Sequence, residues 1–155
     1  MGRKRILFAE DDERDVELAL TVLAAHRLVD AVQVVRDGAE ALDYLFRRGE
    51  FANHPEDPPI LTLLDLRMPK LDGLQVLDAV RRDPRLCLLR VVILTASRRE
   101  SDLVRGYALG ASAFVVKPLE ESAFREAVEA VGLFWALLNE PPTPPTQEAS
   151  PFAPS

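Results

Sequence analysis

The chain has 155 residues, 48% of them hydrophobic and 28% charged, enough for one domain with a substantial core. A formal net charge of −6 argues against electrostatic binding to nucleic acid, which needs a basic face. A single cysteine, Cys87, rules out an internal disulfide. No run approaches the roughly 18 apolar residues of a membrane span, so a cytoplasmic protein without a membrane partner is expected.

Ile6 to Ala9 reads as a buried strand that stops on Glu10, Asp11 and Asp12. The basic start, Met1 to Arg5, precedes too few apolar residues for a secretory leader. Val16, Ala19, Leu20 and Leu23 then recur at helical spacing, with Asp12, Glu13 and Asp15 near the helix start, where negative charge suits the dipole. Ala31 to Val35 is short and β-branched, a second strand. Asp37-Gly38-Ala39-Glu40 resembles a capping box, and the helix it opens carries Ala41, Leu42, Leu45 and Phe46 on one face. Gly49 to Pro59 is a polar loop bearing prolines, longer than most helix-to-strand connections.

Ile60 to Leu64 is nearly continuous in apolar character, as in a strand covered on both faces, and it ends on Asp65. A helix follows from about Gly73, with Leu74, Leu77 and Val80 on its apolar side and Pro84 beyond its end. Val91 to Leu94 is a fourth strand, ending on Thr95-Ala96-Ser97. Glu100 to Leu109 is a helix with Gly110 as its C-terminal cap. Ala113 to Val116 is the last strand, ending on Lys117-Pro118, and a final helix runs from about Glu121 to Leu138. Half of the 12 prolines fall after Asn139, so residues 140–155 are expected to be a proline-rich disordered tail behind a folded domain of residues 1–139. Strands alternating with helices predict an α/β fold, a doubly wound five-stranded parallel sheet in the order 2-1-3-4-5.

In such a sheet ligands bind outside the carboxyl ends of the strands, at the switch in strand order. Those ends supply Asp11 and Asp12, Asp65, Thr95 and Lys117. Three crowded carboxylates repel one another unless a cation relieves them. Magnesium suits an oxygen-only set of one or two carboxylates and keeps waters that a phosphate can replace. The carboxylate of Asp65 is therefore read as a phosphoryl acceptor, with Lys117, the Thr95 hydroxyl and the Ala96 amide on the phosphoryl oxygens. One acid at a strand end is usually only solvated. Three acids with a lysine and a threonine on one edge make that bland reading a minor one.

Glu10-Asp11-Asp12, Leu64-Asp65-x-x-Met68-Pro69 with Asp72-Gly73, Thr95-Ala96 and Val116-Lys117-Pro118 together resemble a response-regulator receiver domain of the CheY type, over roughly residues 4–138. The resemblance implies Asp65 as phosphoacceptor, Asp11 and Asp12 as magnesium acids, and the backbone carbonyl of Arg67 as a further metal ligand. It implies a switch pair in Thr95 and Phe114, and a cis bond between Lys117 and Pro118. Arg67 and Ser97 stand where this family keeps side chains that flank the hydrolytic water. The long loop before the third strand, and the end Gly132-Leu133-Phe134-Trp135-Ala136-Leu137-Leu138-Asn139, are similar to single-domain regulators paired with bacterial phytochrome histidine kinases. A bacteriophytochrome kinase is the partner this implies.

The last helix carries more apolar residues than one face can bury. Leu133, Phe134, Trp135 and Leu138 are left over and predict a homodimer. Three other residues read as structural: His26 and His54 as boundary or surface positions, and Cys87 as a small buried hydrophobe. The Arg81-Arg82 and Arg98-Arg99 pairs read as solvated faces, with kinase docking the lesser option. Two other functions compete, the first of them with the same nucleophile chemistry. An aspartyl-phosphate hydrolase would want a second acid where Arg67 stands, and a receiver-like module that takes no phosphate would have lost an acid or the lysine. A flavodoxin-type carrier would want a Ser/Thr-rich loop where the first strand ends in acids.

Overall fold

In the computed structural model, residues 4–53, 57–96, 105, 107–130 and 132 are described. Five strands are β1 (Ile6–Ala9), β2 (Val32–Val35), β3 (Leu61–Asp65), β4 (Arg90–Thr95) and β5 (Ala113–Val116). Helices with both ends among the described residues are α1 (Glu13–Ala25), α2 (Gly38–Leu45), α3 (Gly73–Arg82) and α4 (Glu121–Ala130). All strand pairings are parallel and the order is β2-β1-β3-β4-β5, as the alternation of elements predicts.

Successive side chains of a strand point to opposite faces, and both faces are covered. Ile6, Phe8, Leu61 and Leu63 bury with Val16 and Leu23 of α1 and Phe124 and Val128 of α4. Leu7, Ala9, Leu64 and Ile93 bury with Leu42 and Leu45 of α2 and Leu74 and Leu77 of α3. This is why the strands read as unbroken apolar runs rather than alternating ones. The register pairs Ala9 with Leu64, Asp65 with Leu94, and Thr95 with Val116. The ends of β1, β3, β4 and β5 thus reach one edge together.

Each of the first three helices opens on an aspartate. Asp12 Oδ1 accepts from the amides of Arg14 (2.8 Å) and Asp15 (3.2 Å). Asp37 Oδ1 accepts from Glu40 N at 2.7 Å, the half of a capping box that the sequence announces. The reciprocal box lies at α3, where Asp72 and Gln75 each accept from the other's amide at 2.9 Å. β3 begins one residue later than its apolar run and takes in Asp65. Ala31 belongs to a short 3-10 turn, Val29–Ala31, rather than to β2.

Most of the expected helix over residues 100–109 lies outside the described residues. Arg105, Tyr107 and Ala108 are helical, and Gly110 takes φ +84 and donates to Tyr107 O at 2.9 Å, a left-handed cap that glycine adopts without strain. The final helix is observed to Ala130. Gly132 takes φ +74 and donates to Glu129 O, which is a turn rather than continued α-helix. Leu133, Phe134, Trp135, Leu138 and the proline-rich stretch lie outside the described residues, as do His54, Ser97, Arg98 and Arg99. No described helix is long and apolar enough to cross a membrane.

Arg81 corrects its reading as a solvated residue. Its half-buried guanidinium donates to the carbonyls of Leu109 (3.0 Å), Cys87 (3.1 Å), Leu89 (2.8 Å) and Gly110 (2.7 Å). Burial lowers its pKa, yet an arginine stays charged in proteins, and its planar fork serves four acceptors that a lysine could not reach together. Arg82 is exposed and pairs with Asp78. Cys87 is only half-buried. His26 Nε2 lies 2.9 Å from Glu121 Oε1 and its ring packs on Phe124, so it fastens the end of α1 to the start of α4.

Candidate functional site

At the shared strand edge, β3 ends in Asp65, 2% exposed. Its main chain is closely approached by the start of α3. A Cβ on Gly73 would lie 2.5 Å from Asp65 O, so only glycine lets α3 begin this close to the end of β3. Gly38 does the same at the start of α2, where a Cβ would lie 2.1 Å from Leu71 O. Lys70 pairs with Asp37 across the same seam.

The Lys117 ammonium enters from the end of β5. Nζ lies 2.9 Å from Asp65 Oδ1, 2.9 Å from Glu10 Oε1 and 3.2 Å from Asp15 Oδ2. Its backbone N donates to Thr95 O at 2.8 Å, which ties the lysine's strand to the end of β4. The bond from Lys117 to Pro118 is cis. Thr95 is buried at the end of β4 and Ala96 is exposed beside it. Arg67 is exposed, and its N–H approaches Asp65 Oδ1 at 3.4 Å. Phe114 is half-buried in β5 and meets Tyr107 edge-on, with ring centroids 4.9 Å apart.

The acids around Asp65 are not the pair singled out in the sequence. Ligand atoms of Glu10, Asp11 and Asp65 all lie within 4.8 Å of one another. Asp12 is not in this group. It is turned to the amides of α1, and the N–H groups of Asp15 and Arg14 hold its carboxyl below the usual range. Glu10, fully buried where β1 ends, takes the place expected of Asp12. The amide of Asp12 donates to Glu10 Oε2 at 3.2 Å. The signal was present in the sequence: Asp12-x-x-Asp15 at a helix start has the form of an N-cap.

Electrostatically the site is starved of positive charge. Burial pushes the Glu10 carboxyl up to about 8, the adjacent Asp65 carboxylate pushes the same way, and the Lys117 ammonium opposes them. Burial alone would lower the Lys117 pKa, but the carboxylates of Asp65 and Glu10 outweigh it and the ammonium is held charged. Asp65 Oδ2 and Glu10 Oε1 are buried with no hydrogen-bond donor among the described residues; Lys117 meets the latter as an ion pair without hydrogen-bond alignment. Two buried carboxylate oxygens lacking donors, beside the exposed Asp11, are a donor set that fits a hard divalent cation. The buried ammonium beside the acid fits an anionic, phosphoryl-like group.

Similarities to known proteins agree with this chemistry. A family model described as the response regulator receiver domain matches residues 6–129. Response regulator Rcp1 of Synechocystis sp. is 34% identical over 132 residues, covering 85% of this chain and 88% of Rcp1. A structure of the Mn2+-bound form of Rcp1 has a TM-score of 0.69 at 31% identity, covering 90% of this chain and 98% of that chain. The bacteriophytochrome response regulator RtBRR has a TM-score of 0.80 at 49% identity, covering 96% of this chain and 89% of its own. The phosphorylated cyanobacterial phytochrome response regulator RcpA has a TM-score of 0.72 at 36% identity, covering 87% and 95%. Since the matched span runs from the first residue of β1 nearly to the end of α4, the chain belongs to the response regulator receiver domain family.

Proposed function

We propose that Asp65 accepts a phosphoryl group from a histidine kinase of the bacteriophytochrome type. One observation carries this reading: a buried carboxylate with an ammonium 2.9 Å from Oδ1 and, among the described residues, no donor on Oδ2, within 4.8 Å of two further acids. An Asp65 oxygen would form a bond to phosphorus as the phosphorus–nitrogen bond of a phosphohistidine breaks. The departing imidazole keeps that electron pair and takes a proton from solvent. The product is an acyl phosphate on Asp65, which water can hydrolyse to restore the carboxylate. Lys117 neutralises one phosphoryl oxygen, and the Thr95 hydroxyl and Ala96 amide serve another.

Glu10, Asp11 and Asp65 would hold magnesium, with the Arg67 carbonyl as a further oxygen; the cation supplies charge neutralisation at the phosphoryl oxygens. Phosphoryl transfer depends mainly on such positioning and neutralisation. The chain thereby acts as a phosphoacceptor rather than an enzyme turning over external substrates. Thr95 and Phe114 form the switch pair that passes the change to the protein surface. A phytochrome partner is supported by the likeness to RtBRR and RcpA.

Incubation with acetyl phosphate and magnesium is expected to add about 80 Da, one phosphoryl group, by intact mass. Asp65→Asn is expected to show no adduct. An adduct of equal yield in that variant would place the chemistry elsewhere.

The apolar residues Leu133, Phe134, Trp135 and Leu138 support a homodimer. Trp135→Glu with Leu138→Glu is expected to halve the solution mass by light scattering. A wild-type chain that is already monomeric at micromolar concentration ends that reading.

A further inference from the structure

Lys117 has a third carboxylate that neither the metal set nor the phosphoacceptor explains. Asp15 sits in the first turn of α1, fixed there by the donation of its amide to the Asp12 cap. Its Oδ2 accepts a hydrogen bond from Lys117 Nζ at 3.2 Å. An ammonium offers three hydrogens, and three acids crowd this one. A phosphoryl oxygen that takes a hydrogen from Lys117 competes with these acids for the ammonium. Glu10 and Asp65 are 0% and 2% exposed, so water cannot replace the lysine for them. Asp15 is 27% exposed and stands furthest off, so its oxygen can be rehydrated at little cost.

We infer that Asp15 is a positioning residue: it holds Lys117 over the site while Asp65 is free, and yields it to the phosphoryl oxygen when Asp65 is modified. No bond is made or broken at Asp15. This role rests on Asp65 being the phosphoacceptor. It also means that modification loosens α1 from the end of β5, since the Asp15–Lys117 hydrogen bond joins the two.

The test compares the initial rate of adduct formation from acetyl phosphate and magnesium in wild type, Asp15→Asn and Glu17→Gln. Glu17 lies exposed on the same helix, so Glu17→Gln makes the same change of charge away from Lys117. Asp15→Asn is expected to raise the rate by about two- to fivefold, the range a partly exposed ion pair supports, and to tighten binding of beryllofluoride, a phosphoryl mimic, by the same factor. Glu17→Gln is expected to leave both at wild-type values. A purely structural role for Asp15 would lower the rate through lost stability instead. An Asp15→Asn rate equal to or below wild type, or an equal gain in Glu17→Gln, overturns the role of Asp15 while leaving the phosphoacceptor reading intact. A wild-type chain that takes no adduct overturns both.

Discussion

Lys117→Met is expected to destabilise the metal-free chain by about 3 kcal/mol at neutral pH, since breaking a buried pair leaves its other charge uncompensated. One buried carboxylate, Asp65, 2.9 Å away, depends on this ammonium at neutral pH, whereas the equally close Glu10, pushed up to about 8, carries a proton there. Attraction to the neighbouring acids holds the Lys117 ammonium charged against the cost of burying it. Methionine fills much of the same volume, so packing is nearly conserved and the loss reports electrostatics. Asp65 can escape by taking up a proton, so the deficit should shrink as the solution is made acidic. Urea unfolding in the presence of a chelator, at neutral and at mildly acidic pH, measures it. The same variant is expected to lose nearly all adduct formation from acetyl phosphate, because no other buried cation serves the site among the described residues. A variant as stable as wild type that is still modified at its rate would show that Lys117 is a bystander.

Without a divalent cation, folding stability is expected to fall as pH rises from about 4.5 to about 8, the ordinary and the folded values for Glu10. The sign follows from linkage. In that window the folded state holds a proton on Glu10 and the unfolded state does not, so each rise in pH favours unfolding. A bound cation replaces the proton as the partner of the buried carboxylate. Magnesium should then flatten the decline and release close to one proton per ion at neutral pH. Glu10→Gln removes the titrating group and should flatten the decline without magnesium. Thermal melts across pH with chelator or magnesium, and calorimetry in buffers of different ionisation enthalpy, measure the two effects. A chelated wild type whose stability is constant across that window would rule out the strained Glu10 carboxyl.

The strands were readable in the sequence because a sheet covered on both faces leaves unbroken apolar runs. Their order followed from the parallel crossovers, and Asp65, Thr95 and Lys117 followed from being where those runs stop. The acid pair was harder. Glu10, Asp11 and Asp12 are alike in composition, and what separates them is the exact point at which β1 gives way to the turn before α1. A shift of one residue exchanges a buried carboxylate for a helix cap. Asp72-x-x-Gln75 carried an equally visible box that went unread. Asp15 and Arg81 were out of reach for another reason. Their partners lie 102 and up to 29 positions away, and Arg81's acceptors are backbone carbonyls, which no residue type announces.

The grip of Arg81 on the carbonyls of Leu109 and Gly110 has a mechanical corollary. It pins the turn that enters β5 to the far end of α3 and to the Cys87–Leu89 loop. Tyr107, which touches Phe114, sits less than one helical turn before that pin. If Phe114 rotates, the residues around Tyr107 cannot simply slide along the sheet. Tyr107 and Ala108 are left to pivot about Gly110, as a lever about its fulcrum.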